Sequence, residues 1–293
     1  MPASPIRAAV LIPATDYPDA YDWALENQAD ALSAAGLEVV AQTWTDPDVG
    51  QGVDIVLPLV VWGYHAREAE WHALLDRLEA ARVPVVNPIG LLRWNSDKAY
   101  LAELAERGIA TVPTLAVDAL ADADLADARV RFDATELVVK PPVSAGADGT
   151  FRLGPNDVVP AEVAGRRMLI QPFQQGIVGQ GELSLMIFNG AFSHAVLKRA
   201  KPGDFRVQPS LGGTEIHVEA PPEAIELAHR ALAAAPAAAI YARVDMIADA
   251  GGAWQIMELE LIEPALFLHR APGSAERFGA AIAAAAEQIL AQR

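Results

Sequence analysis

Four charged side chains near the end of the chain could do chemistry together. They are Arg243 and Asp245 in the segment 243–247, and Glu258 and Glu260 in the segment 256–261. Both segments are apolar enough for strands, and Asp249-Ala250-Gly251-Gly252 between them has the composition of a turn joining antiparallel neighbours. Alternation along a strand puts Glu258 and Glu260 on one face and Met257, Leu259 and Leu261 on the other. With a four-residue loop and Ala248 opposite Ala253, Arg243 falls opposite Glu258, and Asp245 falls opposite Ile256. Three acids and an arginine then share one face. Crowded carboxylates among apolar neighbours need a compensating cation or proton. Oxygen donors without cysteine or clustered histidine suit Mg²⁺ or Mn²⁺ rather than zinc. The plainer alternative is a solvated sheet face with an Arg243–Glu258 ion pair.

A second group of residues suits phosphate. Lys140 ends an apolar run and leads directly into a loop of small residues, 141–150, containing Ser144, Gly146 and Gly149. Such loops let backbone N–H groups approach phosphate oxygens unobstructed. Lys98, in the polar cluster Asn95-Ser96-Asp97-Lys98, could add a second positive charge, although an exposed helix position is the usual place for lysine. Neither a Gly-x-x-x-x-Gly-Lys-Ser/Thr loop nor a strand-to-helix Gly-x-Gly-x-x-Gly occurs, which disfavours a P-loop NTPase and a typical dinucleotide-binding dehydrogenase.

The elements that must position these groups fall into three units. Residues 1–94 alternate apolar runs with helical patterns, the signature of a helix-wound parallel sheet. Strands are expected at 7–12, 37–42, 54–61 and 83–87, with helices at 19–35 and 66–81. Ligands of such sheets lie beyond the carboxyl ends of the strands, where Thr15, Asp16, Tyr17, Tyr64, His65 and Asn87 stand. A small unit, 95–172, opens with a helix capped at Asn95 to Lys98 and running to Arg107, followed by strands at 111–116, 136–140 and 168–171. The third unit, 173–293, is mixed and holds the acidic hairpin and a final alanine-rich helix.

Composition sets outer limits. The 293 residues are 52% hydrophobic and 20% charged, as in a folded globular protein, and 22 basic against 38 acidic residues give a net charge of −16. That balance argues against nucleic acid and anionic membrane as partners. The absence of cysteine excludes disulfides, thiolate metal sites and cysteine nucleophiles. No apolar run is long enough for a signal sequence or a membrane span, so a cytoplasmic location is expected.

The order of Lys98, Lys140 with its loop, the hinge Gln171-Pro172-Phe173, Asp245 and Glu258-x-Glu260 resembles the ATP-grasp superfamily over nearly the whole chain. The resemblance implies an α/β fold with an N-terminal parallel winding domain, a small lid and a C-terminal mixed α+β domain. It implies that Lys98 and Lys140 hold ATP phosphates under a flap spanning Ser144 to Gly149. Gln171 and Phe173 would hold adenine through backbone groups, Glu182 the ribose, and Asp245, Glu258 and Glu260 Mg²⁺. Many members carry Asn where this chain has Glu260, and the usual Pro-Gly after the metal strand is replaced by Ile262-Glu263-Pro264-Ala265-Leu266-Phe267. That variant, with residues 192–199 and 203–208, is similar to the branch containing the cyclo-ligase of cycloserine biosynthesis.

The activity so implied is ATP-dependent carbon–nitrogen ligation through an acyl phosphate, on a small amino-acid-like substrate. Arg243, Lys198, Arg199 and Arg206 are the cations available for its carboxylate, its oxyanion and the transferred phosphate, with at most one of Lys198 and Arg199 facing the site. In the cyclo-ligase variant both reacting groups lie in one molecule, and a ureido-type oxygen is phosphorylated before ring closure. Homodimers are common in this architecture. The alternatives are a phosphotransferase at the same nucleotide site, a binding protein that keeps the fold without the chemistry, and, more distantly, a dehydrogenase-like winding domain joined to an unrelated acidic domain.

Overall fold

A computed structural model describes residues 4–204, 206, 207 and 212–292. Phe205 and Gln208, part of the segment that carries the subfamily likeness, lie outside the described residues.

The chain opens with β1 (Arg7–Ile12), α1 (Asp22–Ala34), β2 (Glu38–Thr43), β3 (Ile55–Leu57) and α2 (Glu68–Ala80). These strands form a parallel sheet in the order β2-β1-β3. The expected strand at 54–61 is shortened to three residues because Pro58 has no N–H to continue the ladder. The expected strand at 83–87 contracts to one bridge, Val56 with Val85, between Pro84 and Pro88. Tyr64–Arg67 forms a 3-10 turn leading into α2.

Two short helices follow, α3 (Ile89–Ser96) and α4 (Tyr100–Glu106). Asn95 and Ser96 therefore end one helix rather than begin another, as their composition had suggested. The break has a clear cause. Asp97 is extended, its carboxylate accepts from the Ala99 N–H at 2.9 Å, and the Lys98 N–H leaves the helix to donate to the Pro142 carbonyl at 2.8 Å.

β4 (Leu115–Val117), α5 (Asp122–Phe132), β5 (Leu137–Lys140), β6 (Phe151–Leu153) and β7 (Met168–Pro172) build a four-stranded antiparallel sheet, ordered β4-β7-β5-β6, that packs on α5. The remainder comprises α6 (Gly176–Gly179), β8 (Glu182–Phe188), β9 (Ala191–Arg199), β10 (Thr214–Val218), α7 (Pro222–Ala233), β11 (Tyr241–Ala248), β12 (Trp254–Glu260) and α8 (Ser274–Ala291). Its five strands form an antiparallel sheet ordered β10-β9-β8-β11-β12.

Two cores cover the faces of this larger sheet. On one face α4 and α7 bury Tyr100, Leu101, Leu104, Leu227 and Ala231 against Leu185, Val244 and Leu259. On the other, α8 lies between the larger sheet and the N-terminal unit, joining Phe278 and Ile282 to Val10, Leu32 and Phe188. The approach of α8 to α1 requires glycine at 279, since a Cβ there would collide with the Ala31 carbonyl. No described helix is long and apolar enough to cross a membrane.

Candidate active site

The two antiparallel sheets and the 3-10 turn of the N-terminal unit line a cleft open to solvent, with about 1200 Å³ of space between its walls and mouth. Its floor is the polar face of β9, β8, β11 and β12. Cross-strand pairing places Lys198 opposite Glu182, Asp245 opposite Ser184 on one side and Glu258 on the other, and Arg243 opposite Glu260. Alternation gathers all of these side chains on one face, as the sequence predicts. The register differs from the prediction, however. The turn between β11 and β12 takes five residues rather than four, and a bulge lies between Asp245 and Met246, where Met257 has no partner. Asp245 consequently opposes Glu258 rather than Ile256, and Arg243 opposes Glu260 rather than Glu258. The bulge also turns Met257 away from its expected companions Leu259 and Leu261, toward Val112, Phe173 and Ile247 in the cleft.

The strand carrying the two glutamates is the edge of its sheet, and side chains complete it. Asn95 donates to the Leu259 carbonyl at 2.8 Å and accepts from the Leu261 N–H at 2.9 Å. The Tyr100 hydroxyl accepts from the Leu259 N–H at 2.7 Å and donates to its carbonyl at 3.1 Å. The Asn87 amide binds the Leu261 and Tyr241 carbonyls. Asn87 and Asn95 thus hold the edge strand: the first is fully buried and away from the cleft, and only Asn95 also lines it.

Of the cations predicted from sequence, Lys98, Lys140, Lys198 and Arg206 line the cleft, Arg243 lies behind its floor on Asp245 and Glu260, and Arg199 points away. Lys98 is buried rather than exposed, bonded to the Ser144 carbonyl and 3.2 Å from Glu258. Lys140 is half-buried, and desolvation pushes its ammonium down to about 8 against the pull of Glu258, with Lys98 adding repulsion. Lys198 faces inward and Arg199 outward, so one of the pair serves the site. Lys198 contacts Glu182 and lies 3.2 Å from Asp245, and these acids raise its pKa despite burial. Arg243 bonds Asp245 at 2.9 Å, bonds Glu260, and sits 5.7 Å from the Phe267 ring. Arg206 lies at the cleft wall with its guanidinium on Asp204 at 3.0 Å.

The acids differ in availability. Asp245 accepts from Ser184 at 2.6 Å, from Lys198 at one oxygen and from Arg243, which engages both of its oxygens; its carboxyl lies well below the usual range because Arg243 and Lys198 outweigh its burial. Glu258 and Glu260 keep 29% and 26% of their side-chain surface exposed to the cleft. Burial pushes the Glu260 carboxyl up to about 8 against the pull of Arg243, and Glu182 up to about 7 against that of Lys198. Among the described residues no three acids or histidines converge as around an ion. Glu258 and Glu260 each pair with one cation, Lys98 and Arg243, and keep oxygen surface free toward the cleft, whereas Asp245, expected as a third metal ligand, is engaged by two cations.

The loop after Lys140 lines the same end of the cleft as Lys98. Ser144 is buried with its hydroxyl on the Pro141 carbonyl at 3.2 Å, and Ala145, Gly146 and Ala147 line the opening. Gly149 has φ of +64° and lies where a Cβ would come within 2.9 Å of the Pro141 ring. A slot lined by Val112, Val138, Phe173, Ile177, Val207 and Met257 occupies the other end, beside the hinge at Gln171. The Gln171 side chain is buried on Thr114 at 2.8 Å. The Phe173 N–H donates to the Glu136 carbonyl at 2.9 Å, so that donor is not available to adenine. The Phe173 ring lies 3.7 Å beneath the Arg152 guanidinium.

Sequence reasoning missed this apolar slot, whose residues come from β5, α6, β12 and the connecting segments at 112, 173 and 207 and share no period. It also left Tyr64 and Glu263 without firm roles, although both line the cleft. His194 is buried between Ser193 and the Leu266 carbonyl and does not face the cleft. The Nδ1 of His65 is buried without a hydrogen-bond partner.

Comparison with known proteins agrees with this arrangement. Residues 9–87 match the family described as D-cycloserine synthetase DcsG, N-terminal domain. The cycloserine biosynthesis protein DcsG of Streptomyces lavendulae is 30% identical over 297 residues, covering 94% of this chain and 97% of that protein. The crystal structure of D-cycloserine synthetase DcsG superposes with a TM-score of 0.83 at 27% identity, over 96% of this chain and 99% of that one. The D-alanine–D-alanine ligase of Bacillus anthracis shares the fold alone, with a TM-score of 0.71 at 17% identity over 98% and 99% of the two chains. A sheet register that gathers lysines, arginine and paired glutamates under a glycine-containing loop, and a relative alike from end to end, lead to one assignment: the chain belongs to the ATP-grasp superfamily, in the branch of DcsG, and is an ATP-dependent carbon–nitrogen ligase.

Proposed function

We propose that the cleft binds ATP with its adenine in the slot of Val112, Val138, Ile177, Val207 and Met257 and its phosphates among Lys98, Lys140 and Lys198, with Arg243 behind them on Asp245 and Glu260. The observation that carries this reading is the placement of these cations at one end of an apolar slot, facing Glu258 and Glu260. D-alanine–D-alanine ligase has been described with ATP, and the ligase PsnB with Mg and ADP. Here Glu258 and Glu260 would hold Mg²⁺, which screens triphosphate charge and polarises the transferred phosphoryl group. When Arg243 and Lys198 turn to phosphoryl oxygens they release Asp245, which then supplies a third carboxylate. Glu182 faces the ribose and holds Lys198 until nucleotide arrives.

The substrate is a small amino-acid-like molecule whose carboxylate is activated. A carboxylate oxygen attacks the γ-phosphorus, ADP leaves, and a nitrogen of the same molecule then displaces phosphate from the acyl carbon to close an amide ring. The ring of D-cycloserine joins its own carboxyl carbon to a nitrogen borne on the side-chain oxygen, so an aminooxy or ureido-type nitrogen fits the reading. Arg206, at the cleft wall, and Arg243 neutralise the oxyanion and the transferred phosphate.

ADP and phosphate release with serine-derived aminooxy and ureido amino acids tests this reading. A cyclo-ligase releases both with a single organic substrate, whereas a phosphotransferase would leave phosphate on its product. Glu258→Gln and Lys140→Ala are expected to lower turnover by roughly 10²-fold or more, as for other groups that stabilise transition-state charge. Turnover at the wild-type rate in either variant would contradict the assignment.

A further inference from the structure

Five carboxylates line the cleft, and four already have a cation. Glu182 is paired with Lys198, Asp245 with Arg243 and Lys198, Glu258 with Lys98, and Glu260 with Arg243. Glu263 has no ion pair among the described residues, although it is half-buried and borders the same space. It stands where many relatives of the superfamily carry the Pro-Gly that follows the metal strand.

The surroundings of Glu263 are aromatic. Its carbonyl accepts from the Trp62 indole N–H at 3.3 Å, which fixes the backbone just before Pro264. Trp62 packs on Tyr17 and Trp23, with ring centroids 6.5 and 5.6 Å away. The phenols of Tyr17, Tyr64 and Tyr241 lie near enough for the Glu263 charge to push their ionisation upward, adding to burial. Tyr64 lines the cleft beside it. Burial pushes the Glu263 carboxyl itself up to about 7, opposed by Lys98, which lies beyond ion-pair contact.

An unpaired acid in such a place calls for a cation from outside. A divalent ion favours several oxygen ligands, and the paired Glu258 and Glu260 offer that arrangement better than one glutamate beside Tyr64. An organic ammonium suits the ring faces and a single carboxylate, because it is singly charged and gains from aromatic quadrupoles. The N-terminal end of the cleft is also the side left over once the slot at 112, 138 and 177 is given to a nucleotide.

We propose that Glu263, which lines the cleft with Tyr64, is the specificity residue that binds the α-ammonium group of the substrate. This rests on the reading of the cleft as the site of an amino-acid-like substrate beside ATP. The ammonium is then held at the N-terminal unit while the carboxylate of the same molecule reaches toward Arg243 and the phosphates. A substrate lacking the positive charge leaves the half-buried Glu263 unpaired, which disfavours neutral analogues.

The test uses D-alanine, D-serine and D-cycloserine as probes, each beside its N-acetyl derivative, titrated calorimetrically into the full chain saturated with ADP and Mg²⁺. Wild type is expected to bind at least one amine roughly tenfold or more tighter than its neutral derivative, the scale of losing one partner of a buried charge pair. Glu263→Gln is expected to erase that ratio and Glu263→Asp to restore part of it, with ADP affinity the same in all three proteins. A merely structural role would change ADP affinity and leave the ratio of amine to N-acetyl binding intact. The proposal is overturned if Glu263→Gln keeps the ratio, if no amine is preferred by nucleotide-loaded wild type, or if Glu263→Gln abolishes the Mg²⁺ dependence of nucleotide binding, which would mark it as a metal ligand. Failure of wild type to bind ADP at all would overturn the nucleotide reading, and this one with it.

Discussion

Lys140 is the cation whose charge is most easily lost. Desolvation at the end of β5 brings its ammonium down to about 8, although Glu258 pulls the other way. Only the protonated form attracts phosphate, and a bound phosphate raises the pKa again, so nucleotide binding takes up a proton above the free value. Affinity for ATP should therefore be steady below pH 8 and fall as pH rises through about 8. A titration series from pH 7 to pH 9.5 checks this, with Lys140→Arg as control, since a guanidinium stays charged throughout. A wild-type affinity flat to pH 9.5 would show that Lys140 does not face the phosphates. Lys98 and Asp245 carry a different lesson at the same scale. Each is held by partners far away in sequence, Ser144 and Glu258 for the lysine, Ser184 and Lys198 for the aspartate. Residue type and order pointed to both, but neither reveals that Asp245 is the best neutralised acid of the set.

The element that matters most is the edge strand β12. Its outer backbone groups are closed at Ile256 by the backbone of Ala110 and Val112 and farther along by Asn95 and the Tyr100 hydroxyl, so Glu258 and Glu260 flank a pinned residue, Leu259. Tyr100→Phe removes both bonds to Leu259 inside a buried cluster. The expected cost is about 1–3 kcal/mol, read as a drop in Tm of several degrees, with turnover falling further than Tm alone explains because the glutamates lose their register. Unchanged Tm and turnover would show that the strand needs no such support. How far elements were legible follows from the same physics. β1, β5, β7 and the β11–β12 hairpin could be read because apolar runs, turn residues and length agreed. Strand 54–61 was overextended because the apolar run outlasts Pro58, and the helix at 95 was misplaced because a capping composition was read where Lys98 bonds Pro142. The bulge at Met257 leaves no trace in alternation and had to be seen.

At the scale of the whole molecule, three units contribute to the cleft: Tyr64 from the 3-10 turn of the N-terminal unit, Lys140 and the 141–150 loop from the smaller antiparallel sheet, and the charged floor from the larger one. The order of motifs along the chain was enough to identify the superfamily, because the fold fixes which sheet each motif reaches. The apolar slot and the pairing of acids with cations were not legible, since both depend on distant segments meeting. The most direct measurement of the central claim is ATP binding by calorimetry with and without Mg²⁺, in wild type and in the Glu258→Gln, Glu260→Gln double variant. Affinity should rise with Mg²⁺ in wild type and become independent of it in the double variant. Equal affinity with and without Mg²⁺ in wild type, or an unchanged Mg²⁺ dependence in the double variant, would contradict the placement of the triphosphate over these two glutamates.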